Sequence, residues 1–521
     1  MLKKKTLGLL LTATLIATLA TGCSSSGSKT EETKAPVASS GTTTAAPTTL
    51  KVLAIIFGQL PNADNNLAKA DIEKRGNIKL DIDFVPADAY SDKLSISLTS
   101  GANYDLVLFT DPFNKYQSFI KSGAFQDLTP YIKGKKNLEF IPEQTWKNTE
   151  SNGLRFGIPR PRGLYGGGEA NIILRKDWLD QYNLQVPKTL DEFTNVLKVF
   201  KEKDPAGGGK TIPYIVTNTI DAYTQIPPFG MANPIAFSFG LPNAYKIEGG
   251  KASAVFQQPE YKSYLEWLRQ AYKDKLIDKD APVQKSSQGQ DKFFAGVAGS
   301  YVGQVQHMNP SDSSTYGKLL KTDPNAKLVA IPELSGPKGA KGAAVITGYY
   351  GLWVVPQSVA KDKVQKIVDF LDFSASEEND AFYQTGVVGV HSSGLKNGIA
   401  EKTPEQEKAY ANDRIDVFVM ENRYDPYYYT KSTTNPDVVK TSKSILDAIS
   451  KIGIANPFLP YISETAGKNP DILKPLTAAA TKYVMGEGEY DSVQKEIDVW
   501  AAGTGETILK EYLDQYSKDH P

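Results

Sequence analysis

The sequence has very little cysteine and histidine. Its 521 residues include one Cys and three His, at positions 307, 391 and 520. One cysteine permits no disulfide within the chain and no cysteine-based zinc site. The histidines are far apart in the sequence and form neither a HExxH nor a HxH motif. We therefore expect no disulfide framework, no metal ion and no cofactor.

An excess charge and long apolar runs are also missing. The 59 Lys and Arg residues balance 59 Asp and Glu residues, whereas nucleic-acid-binding proteins usually carry a basic excess. Beyond the N-terminal leader, no stretch has the roughly 18 unbroken apolar residues of a transmembrane helix. The sequence thus favours a globular protein with two to four units of about 150 residues each, without a nucleic-acid partner.

The single cysteine, Cys23, stands at the end of a secretory leader. Lys3–Lys5 form its charged start, and Thr6–Leu19 is a mostly apolar stretch of 14 residues, too short to span a bilayer, which takes about 20. Ala20–Cys23 resembles a bacterial lipobox, in which the Cys is lipidated and becomes the new N-terminus. The usual Leu three places before the Cys is Ala20, with Leu19 one place early. The alternative is an ordinary signal peptide with an unmodified Cys.

Residues 24–49 are built mostly from Ser, Gly, Thr, Ala, Pro, Lys and Glu, a composition that cannot bury a core. We interpret this segment as a flexible tether between a lipid on Cys23 and a folded domain. Removal of residues 1–22 leaves 499 residues with a net charge of −3, because three Lys and no acids are lost. The expected location is the extracellular face of the cell membrane.

The rest of the chain alternates between strand and helix patterns, which is typical of α/β layers. Thr189 and Glu192 have the spacing of a capping box, and Thr403 with Pro404 marks another helix start. The predicted strands are 50–57, 78–85, 104–109, 328–332 and 348–355. The predicted helices are 68–75, 90–99, 174–183, 189–203, 260–275, 361–373, 404–411, 438–452, 471–485, 490–502 and 506–518.

Several sequence motifs come close to known sites without matching them. Gly207–Thr211 resembles the end of a phosphate loop, but Asp204 replaces the first required Gly and the loop follows a helix. The same loop lacks the alternating oxygen ligands of a calcium site. Ser300 lies in GSYVG rather than GxSxG. A glycosidase-type pair of acids remains open, since nothing in the sequence selects one pair.

Several longer segments follow one another in a recognisable order and spacing, namely 105–109, 119–132, 157–159, 174–179, 187–193, 293–300 and 483–516. Together they resemble the extracellular solute-binding proteins of the maltose-binding type. The last of these is similar to the large lipoprotein members from Gram-positive bacteria. The resemblance implies an α/β fold of two hinge-linked lobes (type II) with a ligand cleft between them. It also implies a monomer that delivers its ligand to the permease of an ABC importer.

The resemblance also suggests how the chain is divided. We expect a signal peptide at 1–22, the lipidated Cys and tether at 23–49, and lobe 1 at 50–160. Lobe 2 would follow at 161–331, with a return to lobe 1 at 332–375. The crossings would lie near 159–168, 331–334 and 373–376, and the last would send the C-terminal helices of 376–521 onto lobe 2.

Candidate ligand-binding residues lie where predicted strands end or where the chain crosses between lobes, because ligands of open α/β sheets bind at the carboxyl ends of strands. Asp111 could bind sugar hydroxyls or cap the next helix. Arg160 and Arg162 could bind a carboxylate or form a salt bridge between the lobes. Tyr349 and Tyr350 should point to opposite faces. The full set is Phe109, Asp111, Arg160, Arg162, Tyr165, Glu169, Phe229, Asn233, Gln304, Gln306, His307, Tyr349, Tyr350 and Trp353.

The favoured function is a lipid-anchored receptor for a carbohydrate, which the resemblance implies and the aromatic content supports. The chain has 27 Tyr, 21 Phe and five Trp, and Tyr offers both an apolar face and a hydroxyl to a sugar. The two arginines raise a uronate-bearing oligosaccharide as a hypothesis. A peptide or metabolite receptor, a secreted polysaccharide-active enzyme, and an adhesion or sensor protein are the alternatives.

Overall fold

The first strand of the structure begins at Thr48. The computed structural model describes residues 46–101, 103–111, 113–165, 171–218, 225–229, 233–310, 315–431 and 435–520. Cys23 and Glu169 lie outside these ranges. The strands are β1 (Thr48–Ile56), β2 (Ile78–Pro86), β3 (Leu106–Phe109), β4 (Gly157–Pro161), β5 (Asn171–Arg175), β6 (Tyr245–Glu248), β7 (Lys251–Ala254), β8 (Ser300–Gly303), β9 (Leu328–Ile331), β10 (Ala343–Ala344), β11 (Tyr349–Val354), β12 (Gly394–Lys396), β13 (Ile399–Glu401) and β14 (Gly453–Ile454).

Helices separate most of these strands and make up the C-terminal part of the chain. They are α1 (Leu67–Gly76), α2 (Ala87–Ser100), α3 (Phe113–Lys121), α4 (Thr129–Ile132), α5 (Glu143–Lys147), α6 (Lys176–Gln181), α7 (Leu190–Lys203), α8 (Asn233–Ser238), α9 (Glu260–Lys273), α10 (Ser286–Phe294), α11 (Tyr316–Thr322), α12 (Lys361–Ser374), α13 (Glu377–Thr385), α14 (Pro404–Asp413), α15 (Ile415–Phe418), α16 (Pro436–Ser450), α17 (Glu464–Lys468), α18 (Lys474–Met485), α19 (Tyr490–Ala501) and α20 (Thr504–Asp519).

Lobe 1 is built on a five-stranded sheet with the order β2-β1-β3-β11-β4. β1 runs parallel to β2 and β3, while β11 is antiparallel to both β3 and β4. Successive side chains of a strand point to opposite faces of the sheet. In β1, Val52 belongs to one core cluster and Leu53 to the other, and both are fully buried. Apolar residues on both faces explain why β1, β3 and β11 are recognisable in the sequence as apolar runs.

Lobe 2 is built on a smaller sheet with the order β8-β5-β9, in which β5 is antiparallel to both neighbours. We expected Leu174 to begin a helix, but it lies in β5, and α6 begins at Lys176. All five residues of β5 are buried, because this central strand packs on both faces. Its run of apolar residues is equally compatible with a buried helix and a buried strand, which explains the difference.

The chain crosses between the lobes at places that differ in part from the expectation. The first crossing lies between β4 of lobe 1 and β5 of lobe 2. The return lies between β10 and β11 rather than near 331–334, because Leu334 and Ala343 still pack in lobe 2 cores. The third crossing begins after Met420 rather than near 373–376. Phe382, Ile415 and Met420 still pack in the lobe 1 core, whereas Ile445 of α16 packs in lobe 2.

The last helices complete lobe 2. Tyr483 and Trp500, from α18 and α19, belong to the same core as Phe193 and Leu265 of α7 and α9. Arg269 of α9 donates to the carbonyls of Tyr483 and Gly488 at 2.8 Å each. The C-terminal helices are therefore an integral layer of lobe 2, and only the stretch from α12 to α15 remains with lobe 1.

Candidate functional site

All five strands of the lobe 1 sheet have one end at the same edge, which we call the carboxyl edge. β1, β2, β3 and β4 end there, and the antiparallel β11 begins there, with Tyr349 opposite Pro161 and Leu352 opposite Phe109. Two crossings between the lobes, β4 to β5 and β10 to β11, start or finish at this edge. Ligands of open α/β sheets bind at the carboxyl ends of the strands, which makes this edge the candidate ligand-binding surface of lobe 1.

An aromatic pair and a guanidinium group lie side by side at the carboxyl edge. Phe57, just after β1, is 57 % exposed. Its ring centre lies 6.1 Å from that of Tyr350. The guanidinium carbon of Arg162 lies 5.7 Å from the Tyr350 ring centre and 4.1 Å from the ring centre of Tyr428. Exposed aromatic faces next to a cation suit a ligand with both apolar ring faces and negative charge.

Backbone hydrogen bonds hold Arg162 in place, and its guanidinium group lies against aromatic rings. Its N–H donates to the carbonyl of Gly348 at 2.8 Å, and its Nη1 donates to the carbonyl of Pro161 at 2.9 Å. Burial lowers the pKa of Arg162 from its usual value, although the group remains a cation, as arginines do. Within the described part of the chain, no carboxylate forms an ion pair with Arg162.

Arg160 is likewise without a carboxylate partner among the described residues. Its Nη2 is 3.5 Å from the carbonyl oxygen of Asp416, and its Nε is buried without a hydrogen-bond partner. The carboxylate of Asp416 is paired instead with Arg414, at 2.9 Å. Two guanidinium groups at the carboxyl edge are therefore not neutralised by contact with an acid.

Tyr428 and Glu421 complete this cluster from the third crossing. Burial opposes the ionisation of Tyr428, but the guanidinium groups of Arg162 and Arg160 lower its pKa below the usual phenol value. Glu421 is fully buried, and burial raises its pKa well above the usual value although both arginines act in the opposite direction. Arginines, tyrosines and one acid thus form a polar cluster at the join of the two lobes.

Three of the predicted residues in lobe 1 are engaged in packing or in a salt bridge. Phe109 is 1 % exposed and packs against neighbouring aromatic rings. Asp111 accepts a hydrogen bond from Ser91 at 2.7 Å and pairs with Lys115. Trp353 is 2 % exposed, and its Nε1 donates to Met420 at 3.0 Å. None of these three presents a free side chain at the carboxyl edge.

The two neighbouring tyrosines of β11 differ in their surroundings. Tyr349 packs against the lobe 1 core cluster that contains Phe109, while Tyr350 contacts Phe57 and Arg162. Gly351, at φ +75°, and a register shift follow them. Tyr350 is therefore the member of the pair that lies with the exposed ring and the arginine.

The predicted residues of lobe 2 lie in the core, in a helix, or in hydrogen bonds with neighbouring side chains. Phe229 is fully buried in the core, and Asn233 is the first residue of α8. Gln304 accepts a hydrogen bond from Gln306 at 2.6 Å, and Nδ1 of His307 lies 2.8 Å from the Tyr301 hydroxyl.

Tyr165 follows β4 in the first crossing. A Cβ on Gly453 would come within 2.6 Å of its ring. Of the residues predicted from the sequence, the structure brings Arg160, Arg162 and Tyr350 together.

Phe57, Glu421 and Tyr428 were not among the residues predicted for the site. Phe57 closes an apolar strand, so its position resembles a core residue, and only its exposure distinguishes it. Tyr428 lies in the tyrosine-rich stretch 424–429, which was a usable signal. Glu421 had no signal, because its burial depends on packing against α12, where Ser374 contacts its backbone.

The described residues contain no group of three or more His, Cys, Asp or Glu side chains placed to hold a metal ion. In the same part of the chain, no helix is both long and apolar enough to cross a membrane.

Comparison with known proteins places these features in a family. The family model described as "Bacterial extracellular solute-binding protein" matches residues 58–381. Lipoprotein LipO of Bacillus subtilis (strain 168) is 28 % identical over 529 residues, covering 99 % of this chain and 98 % of LipO. The polygalacturonan/rhamnogalacturonan-binding protein YtcQ of the same organism is 29 % identical over 477 residues, covering 90 % of this chain and 91 % of YtcQ.

A solved structure shares the fold. The alginate-binding protein AlgQ2, solved without calcium ion, superposes with a TM-score of 0.65 at 20 % identity, covering 91 % of this chain and 99 % of AlgQ2. This confirms the predicted α/β fold of two lobes. The family match over most of the chain confirms the resemblance seen in the sequence: the protein belongs to the bacterial extracellular solute-binding proteins.

Proposed function

We propose that this protein is the lipid-anchored receptor of an ABC importer and that it binds an oligosaccharide carrying uronate groups. Membership of the solute-binding family supports a binding role at the cell exterior. YtcQ, named for binding polygalacturonan and rhamnogalacturonan, matches nine tenths of the chain, and polygalacturonan is a polymer of a uronic acid. The expected ligand is an oligosaccharide with several carboxylates, delivered to the permease.

One observation carries the acidic ligand: Arg162 lies at the carboxyl edge between aromatic rings and has no acidic partner among the described side chains. A guanidinium group binds a carboxylate through two parallel hydrogen bonds. The exposed ring of Phe57 and the ring of Tyr350 offer apolar faces on which a pyranose ring can stack. Charge and ring faces thus occur together, as a uronate residue requires.

The proposed binding cycle uses the two lobes. A ligand that contacts both lobes binds the closed state more tightly than the open state, and this differential affinity drives closure. Arg162 follows β4 immediately before the first crossing, so a carboxylate bound to it lies next to the hinge. The permease would then distinguish the closed, loaded receptor from the open one.

Calorimetry of the mature protein tests the acidic ligand. We expect an oligogalacturonate to bind at least about tenfold more tightly than its methyl ester of the same length, since a hydrogen bond to a charged group contributes about 1.5–3 kcal/mol. Arg162→Gln should remove most of that preference and leave the affinity for the ester nearly unchanged.

Arg155→Gln provides a matched control. Arg155 lies just before the opposite end of β4, where it pairs with Glu150 at 2.8 Å and stacks on Trp146 at 4.3 Å. This variant should keep the wild-type preference. Equal affinity of the wild type for the acid and the ester would refute the proposed ligand class, and hydrolysis of the oligosaccharide would refute a pure receptor.

The anchor is tested separately. Cys23 lies outside the described residues, and its lipidation is proposed from the leader and the tether in the sequence. Cys23→Ser should move the protein from the membrane fraction to the medium without changing ligand affinity. A variant that stays in the membrane fraction would refute anchoring through this residue.

A further inference from the structure

Glu421 is a buried acid whose backbone is held firmly at the start of the third crossing. Its N–H donates to Oγ of Ser374 at 2.9 Å, and the same hydroxyl donates to its carbonyl at 3.1 Å. The preceding carbonyl, of Met420, accepts the indole N–H of Trp353 at 3.0 Å. The carboxyl group therefore cannot move out to solvent without disturbing the lobe 1 core.

The carboxyl group of Glu421 has few partners for a charged group. Oε1 accepts the N–H of Asn422 at 3.0 Å. Oε2 is buried with no hydrogen-bond partner among the described atoms. The charged groups that act on it are the guanidiniums of Arg160 and Arg162, and neither forms an ion pair with it in the described structure.

An ionised carboxylate in this position would be poorly stabilised. Burial of an isolated carboxylate costs far more free energy than one hydrogen bond to a backbone N–H returns. A neutral carboxylic acid avoids that cost, and its hydroxyl adds a donor that an ionised group lacks. Burial raises the pKa of Glu421 well above its usual value, in agreement with this geometry, while Arg160 and Arg162 only reduce the effect.

We propose that Glu421 is a neutral carboxylic acid in the folded protein and, as a positioning residue, leaves the charges of Arg160 and Arg162 available to the ligand. An ionised Glu421 would act as their counter-ion and would repel an acidic ligand. A neutral Glu421 would leave their charge uncancelled. This role rests on the proposed function, whereas the protonation state of Glu421 does not.

The protonation state can be measured without any ligand. The infrared spectrum of the full-length mature protein at neutral pH, minus that of Glu421→Gln, should show one protonated carboxyl C=O band. Glu378→Gln is the matched control, because Glu378 is 70 % exposed and pairs with Arg75. Apart from the bands of the introduced Gln amide, which both variants share, its difference spectrum should show an ionised carboxylate and no protonated carboxyl band. An ionised-carboxylate band for Glu421 would overturn the proposal.

A second measurement uses only the wild type, so it remains informative if Glu421→Gln fails to fold. Carbon NMR of the wild type labelled with ¹³C at the Glu carboxyl groups should show a resonance at the protonated position at neutral pH. The absence of any such resonance would overturn the proposal without use of a variant.

The effect on specificity is measured with trigalacturonate and its methyl ester. Because Gln is as neutral as the proposed acid, Glu421→Gln should bind trigalacturonate within about threefold of the wild type. Removal of an ionised counter-ion would instead raise that affinity by about tenfold or more, and this gain would overturn the positioning role. A wild type that binds neither compound would refute the proposed function, and the spectra would still decide the state of Glu421.

Discussion

The pH dependence of stability gives a quantitative test of the buried acid. Burial raises the pKa of Glu421 in the folded protein above the ordinary value of 4.5, and Arg160 and Arg162 oppose the rise. The folded state therefore binds this proton more tightly than the unfolded state does. The resulting stabilisation is fully present below about pH 4.5 and is lost as the pH rises through the folded pKa.

The size of the loss follows from proton linkage. In each pH unit where the folded carboxyl keeps its proton and the unfolded one is ionised, the free energy of unfolding falls by about 1.4 kcal/mol. Glu421→Gln has no proton to lose at this position, so its free energy of unfolding lacks this pH-dependent decrease. Its buried amide adds an offset that does not vary with pH. The difference in stability between variant and wild type should therefore shift in favour of the variant as the pH rises above about 4.5.

Urea unfolding at a series of pH values measures this difference directly. Glu464→Gln is the control, because Lys121 lowers the pKa of Glu464 and keeps it ionised across the range. Its difference from the wild type should be independent of pH above about 4.5. A difference for Glu421→Gln that is equally flat would refute the reasoning, since it would mean that the folded carboxyl is ionised.

Three further predictions concern packing, a loop and the aromatic surface. Gly336→Ala should lower the free energy of unfolding by at least about 3 kcal/mol, because its Cβ would lie 1.7 Å from the Ser238 carbonyl oxygen; an unchanged urea midpoint would contradict that contact. Asp204→Asn should lower the melting temperature at neutral pH. The reason is that hydrogen bonds from Thr211 and Gly209 lower the pKa of Asp204 below 3.8 and so stabilise its ionised form in the folded state. The difference in melting temperature between variant and wild type should therefore shrink as the pH falls below 3.8. A difference that does not change with pH would contradict this reasoning. Phe57→Ala should leave the melting temperature nearly unchanged, as the ring is 57 % exposed, while oligosaccharide affinity falls about threefold to tenfold; unchanged affinity would remove this ring from the site.

Local patterns were the part of the fold that the sequence predicted well. The capping box at Thr189 is confirmed, with its Oγ1 accepting the Glu192 N–H at 3.2 Å, and the helix start at Thr403 and Pro404 is confirmed too. These motifs involve residues a few positions apart, so the chain determines them without tertiary contacts. The predicted helix from Leu174 shows the limit, because a buried apolar run does not distinguish strand from helix.

Candidate site residues could be proposed only where a predicted strand ends or where the family resemblance places a crossing between lobes. Arg160 and Arg162 were selected because the family resemblance placed a crossing between lobes next to them, and they lie at the end of β4 and just after it. Glu421 and Tyr428 lie in a segment with no regular pattern, and their places depend on where the chain makes its third crossing. That crossing depends on which core the segment from α12 to α15 joins, a property of packing that local sequence patterns do not carry.

Arg162 contacts all three segments that connect the lobes. It belongs to the first crossing, its N–H donates to Gly348 in the second, and its guanidinium stacks on Tyr428 in the third. Gly348 cannot be replaced easily, because it has φ +81° and its Cβ would lie 2.5 Å from Oγ1 of Thr145. A carboxylate bound to Arg162 would thus act on a group whose position depends on every hinge segment. An anionic ligand at this point therefore has a direct means of favouring one lobe arrangement over another, which is the differential affinity that closure requires.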